Sequence, residues 1–142
     1  MTTLILAVAS SLLAPIAADS PQGELDRHQG EWTVVSEEFG GRKAESGELG
    51  DRLKGLTIAV RGDRVAFRTR GVDRWATVVM DPSKSPRTYD LTRDDGRVLK
   101  GIYAWDGQDL KVCTADDQGD RPTEMATRIG SGNRIRTWRR RP

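Results

Sequence analysis

The chain has very little of what catalytic and metal sites are usually built from: among 142 residues there is one histidine, His28, and one cysteine, Cys113. A lone cysteine excludes an intrachain disulfide, so the fold must be held by packing. One imidazole and one thiol cannot supply the nitrogen and sulfur ligands of a zinc site. Charge of one sign is missing too. The 23 basic and 21 acidic residues leave a formal net charge of +2, which gives no global field to recruit nucleic acid or anionic lipid. Any charge effect must be local.

Long apolar runs are absent, with one exception. Leu4 to Ala18 carries no charge, and its length suits the apolar core of a secretory leader better than a bilayer span. Ile16-Ala17-Ala18 before Asp19 offers small or aliphatic residues where a signal peptidase reads. The reading is therefore a signal peptide over 1–18, a linker over 19–29 that includes one helical turn over Glu24 to Gln29, and one domain over 30–140, placed in the periplasm or secreted. The basic residue expected before Leu4 is missing, which leaves an N-terminal anchor or a buried helix as the alternative.

What the sequence does contain is turns. Gly62-Asp63, Asp81-Pro82-Ser83-Lys84-Ser85-Pro86, Asp94-Asp95-Gly96, Asp106-Gly107 and Gly130-Ser131-Gly132 follow one another too closely for βαβ crossovers and at the right intervals for hairpins. Between them the residues alternate. Trp32 and Val34 share one face of a first strand; Leu56, Ile58 and Val60, then Val65, Phe67 and Thr69, share the oily face of a hairpin. For Asp73 to Met80 both faces are apolar and the pattern does not choose. Tyr89 and Leu91 point inward, and Val98 to Trp105 with Leu110 to Ala115 makes the clearest hairpin, Cys113 lying opposite Leu110 and Val112 as a small buried hydrophobe. Two further short strands are expected near Thr123 to Arg128 and Asn133 to Arg139.

The count predicts an all-β fold of about eight antiparallel strands, and closure into an up-and-down barrel is favoured because it leaves no edge unpaired. A barrel of that size is either filled by side chains or holds one small ligand. The stretch Arg42 to Lys54, charged and glycine-rich, reads as a long loop of the kind that often carries function.

Taken in order, Gly30-Glu31-Trp32, Asp81-Pro82-Ser83-Lys84-Ser85-Pro86, Asp90-Leu91-Thr92, Gly101-Ile102-Tyr103, Asp106-Gly107, Leu110, Cys113, Arg121-Pro122-Thr123-Glu124 and Gly130-Ser131-Gly132 resemble the lipocalin-like domain family abundant in planctomycete bacteria. The match runs from about His28 to Arg139. The resemblance implies a calycin-type barrel, typically exported, with no activity attached to it. Two features depart from the family: Ala76-Thr77-Val78 stands where a glycine and an aromatic are usual, and the end from Arg136 to Arg141 is richer in arginine. Gly30-x-Trp32 also looks like the first-strand signature of true lipocalins, where an arginine of the last strand lies across the indole; Arg134 or Arg136 would take that part.

No catalytic group follows from the residues. His28 precedes the first strand, and Asp90 with Glu124 form a carboxylate pair only if their separation allows it. Asp94-Asp95, Asp116-Asp117 and Asp81 sit in turns, where aspartate bonds to the backbone, and match no calcium loop. The arginines around Trp138 read as a strand face and a tail rather than a nucleic-acid site. Neither cofactor nor metal is expected. Two functions remain open. In one, inward Leu56, Ile58, Val60, Val65, Phe67, Tyr89, Leu91, Ile102, Leu110 and Val112 line a lumen for a small apolar ligand, with Arg42 to Lys54 as its lid. In the other, the interior is filled and the domain acts through its outer surface in the cell envelope.

Overall fold

A computed structural model describes residues 20–45, 48, 50, 53, 55–116 and 119–142; the expected leader lies outside them. The described residues form one helix, α1 (Pro21–His28), and nine strands: β1 (Gly30–Phe39), β2 (Arg42–Glu45), β3 (Thr57–Arg61), β4 (Arg64–Thr69), β5 (Val72–Asp81), β6 (Arg87–Arg93), β7 (Val98–Asp106), β8 (Asp109–Thr114) and β9 (Arg134–Arg140). Every neighbouring pair is antiparallel, and β1 returns to pair with β9 from Trp32↔Arg140 to Phe39↔Arg134. Eight strands thus close into a barrel. β2 stands outside the ring as a short hairpin arm on the far half of β1, whose near half pairs with β3.

Closure answers a physical need. Each strand has one apolar face, and only a ring turns all those faces to one core while pairing the edges. That core takes in Trp32, Val34, Ile58, Val60, Val65, Ala76, Val78, Met80, Tyr89, Leu91, Tyr103, Leu110, Val112 and Trp138. The ambiguous strand is resolved in favour of Ala76, Val78 and Met80, leaving Trp75 and Val79 partly in solvent. The β4–β5 turn holds Arg70 and Gly71 at φ of 51° and 76°, the left-handed pair that a two-residue hairpin requires.

A bulge in β1 turns an acidic side chain inward. The register slips between Val34 and Ser36, so the residues after it exchange faces. Glu37 now sits opposite Arg136, on the inner side with Trp138, while Glu38 points outward.

Within the stretch read as a linker, the helical turn expected over Glu24 to Gln29 is part of a longer helix, α1, that packs on the barrel. Ser20 caps α1 by accepting from the Gly23 amide at 2.9 Å, and the helix lies across one end of the barrel with Glu24 and His28 almost wholly buried. Its amphipathic signal is weak because the buried face is polar.

No strand forms over Thr123 to Arg128. Residues 115–116 and 119–133 run as an irregular strap over the outer face, where Met125 covers Ile102, Cys113 and Ile135. Pro122 cannot donate to a ladder, and side chains fasten the strap instead. Arg121 donates to Asp90 with both terminal nitrogens and to the Gly101 carbonyl at 2.7 Å, and Thr127 donates to Glu38 at 2.8 Å.

Candidate functional site

The two ends of the barrel differ in kind. At the helix end, α1 plugs the opening. Glu24 accepts from Tyr103 Oη at 2.9 Å and Trp105 Nε1 at 2.7 Å, and Arg87 lies 3.6 Å from its other oxygen. His28 fills the gap between Trp32 and Tyr89, and its backbone carbonyl takes the Trp32 indole N–H at 2.9 Å. Burial, then the Glu24 bond, raises the Tyr103 phenol well above its ordinary range, and burial alone does the same for Tyr89. This end is packed shut.

The opposite end is hollow. A cavity of about 680 Å³, open on one side, is bordered by Leu53, Leu56, Phe67, Val72, Ala76, Leu91 and Leu99. That size lies within the range usual for small-molecule sites, roughly 300–1,000 Å³. Its rim carries Thr69 and five arginines, Arg70, Arg74, Arg93, Arg134 and Arg136, with no carboxylate among the described lining residues.

The strand period puts the arginines there. Arg74 is two residues from inward Ala76, Arg93 two from inward Leu91, and Arg134 and Arg136 are in phase with buried Trp138. Glu37, brought inward by the bulge, accepts from Arg136 at 2.8 Å and lies 3.6 Å from Arg134. Arg93 approaches Asp95 at 3.7 Å, whereas Arg70 and Arg74 form no ion pair with the described residues.

The expected lumen residues divide into three groups. Leu56, Phe67 and Leu91 border the cavity. Ile58, Val60, Val65, Tyr89, Leu110 and Val112 face inward but belong to the solid core beside it. Ile102 is a correction: it faces the other way, sealed beneath the strap, because inward Leu99, Tyr103 and Trp105 set the phase of β7 one residue off.

Barrel closure also needs correcting. Trp32 is covered by Arg140, its guanidinium carbon 4.3 Å from the ring centroid, while Arg134 and Arg136 lie at the far end of β9 beside Phe39 and Glu37. The antiparallel register decides this, since the residue opposite Trp32 is Arg140. In the expected lid, Arg42 to Glu45 forms β2, Leu53 folds down to the cavity edge, and residues 46–47, 49, 51–52 and 54 fall outside the described set.

The pattern missed Leu53, Leu99 and the inward arginines. A signal for the arginines was present, as each is in phase with apolar neighbours that face the core.

Other chemistry finds little footing among the described residues. No group of three His, Cys, Asp or Glu is arranged to hold a metal. Burial pushes the Cys113 thiol up to about 11, and Asp90 and Glu124 are each paired with an arginine.

No known family model, curated protein or solved structure matches the chain. Geometry alone therefore bears on what the barrel does.

Proposed function

We propose that the protein is an exported, non-catalytic, lipocalin-like barrel that holds a small, largely apolar ligand in the open half of its lumen. The observation that supports this reading is the cavity of about 680 Å³ beside Leu56, Phe67, Leu91 and Leu99, in a barrel whose other half is solid. A module with a filled interior has no use for such a space. Apolar walls give a ligand its burial energy, about 25 cal/mol per Å² of apolar surface removed from water. The plugged end gives the lumen a floor.

The state of the reactive groups supports a non-catalytic role. The Cys113 thiol is buried on the outer face and the His28 ring is buried in the plug, so neither borders the cavity.

The test is an equilibrium titration of the purified protein with the uncharged dye N-phenyl-1-naphthylamine. Saturable fluorescence enhancement is expected, and Leu99→Trp, which grows into the cavity, should weaken it. A linear, unsaturable response would favour the filled-barrel module acting through its surface.

A further inference from the structure

We infer that the ligand is a single-tailed amphiphile with an oxyanion head, its tail among the apolar walls and its head held by the arginine rim, with Arg70 and Arg74 as the capturing cations. This inference rests on the lumen-binding reading above.

Positive charge is left unbalanced at the mouth of the cavity. Five guanidinium groups border the cavity, and the carboxylates near them are already engaged: Glu37 with Arg134 and Arg136 at 3.6 and 2.8 Å, and Asp95 with Arg93 at 3.7 Å. Arg70 and Arg74 have no such partner among the described residues. Three outward-facing strand arginines are treated differently. Arg68 has Asp73 at 2.8 Å, Arg64 has Asp94 at 2.9 Å, and Arg139 has Asp109 at 2.9 Å. Arg70 and Arg74, at the hollow, lack the carboxylate that these three arginines have.

Placement on the strands strengthens the case. Arg74 occupies an inward position that an ordinary barrel would fill with an apolar side chain, one step from Ala76 along the inner face. Arg70 occupies the first central position of the β4–β5 turn at φ 51°, where glycine, asparagine or aspartate would be comfortable. The fold accepts a strained backbone there and gains a cation at the mouth.

Arginine recognises carboxylate and phosphate through the same planar fork of donors, so both heads fit. A neutral head would leave those cations uncompensated as the tail displaces water from the mouth. An ammonium head would be repelled.

The experiment is competition against N-phenyl-1-naphthylamine by dodecanoate, dodecyl phosphate and 1-dodecanol, which share a tail and differ in the head. At least one anion should displace the dye at a concentration about tenfold or more below the alcohol, in keeping with charge-assisted hydrogen bonds. The better anion identifies the head as carboxylate or phosphate. In the double variant Arg70→Gln/Arg74→Gln the ratio between anion and alcohol should fall severalfold, and added salt should shrink it in the parent. Saturable dye binding with no advantage for either anion, or an advantage that survives the double substitution, would overturn the inference and leave the lumen reading standing. No saturable dye binding at all would overturn both.

Discussion

Trp32 and Arg140 face each other across the seam where β1 meets β9, and the guanidinium of Arg140 lies over the indole while donating to the backbone carbonyls of Arg27 and Gln29. One side chain thereby joins the last strand, the first strand and the end of the plug helix. Removing it costs a cation–π contact and two hydrogen bonds at an exposed site. Arg140→Ala is expected to lower unfolding stability by about 1–2 kcal/mol, measured by urea denaturation. Arg141→Ala, one residue on, serves as the control and should lie within about 0.5 kcal/mol of the parent.

Acid should loosen the plug through His28. The imidazole is buried against Trp32 and Tyr89, neither ring nitrogen has a hydrogen-bond partner among the described residues, and burial, aided by the charge of Arg140, lowers its pKa from 6.5 to about 4. The unfolded chain takes up this proton near 6.5 and the folded chain only near 4. Between those values the unfolded state binds more protons, so stability is complete above the upper one and falls as pH drops toward the lower. The whole effect is about 3 kcal/mol. Urea midpoints at neutral and mildly acidic pH should differ accordingly in the parent and much less in His28→Phe.

Glu24 is the polar anchor of the same plug. Its removal would leave the Tyr103 hydroxyl and the Trp105 indole N–H without their acceptor, and buried groups so abandoned are costly. Glu24→Ala should destabilise by about 2–4 kcal/mol. Glu24→Gln keeps an acceptor oxygen and should recover a good part of that loss in the same denaturation assay.

The hollow and the solid halves should respond differently to truncation. Leu110 is wholly buried, and Leu110→Ala should cost about 2–5 kcal/mol. Phe67 borders the open cavity and is only partly buried, so Phe67→Ala should cost less, about 1–2 kcal/mol. The sequence pattern alone, which puts Phe67 inside, would expect the full value for a buried ring. Thermal melting of the two variants separates these cases.

Alternation and turn chemistry made the ring of strands legible, because both are local and recur with a fixed period. They failed where distant residues decide. Ile102 and Leu99 are both apolar on one strand, and which of them faces the lumen depends on a strap that covers the other side. Arg140 rather than Arg134 or Arg136 covers Trp32 because of a pairing register that no short window contains. The burial of the plug helix, of which only a turn over Glu24 to Gln29 is legible, is hidden for a different reason. Its buried residues are Glu24 and His28, which read as surface residues until Tyr103, Trp105 and Trp32 are brought beside them.

The cavity itself is, from the sequence, only one of two outcomes. Whether a barrel of eight strands is full depends on how side chains from distant strands pack at one end, and Arg74, Arg93, Arg134 and Arg136 take inward positions there without closing the cavity.

Occupancy of that hollow end is the central claim, and two-dimensional amide NMR of the protein titrated with dodecanoate tests it most directly. Saturable shifts are expected at Leu56, Phe67, Arg74, Leu91 and Leu99, with Glu24, His28 and the strap around Met125 left in place. Shifts scattered over the outer wall, or none that saturate, would contradict it.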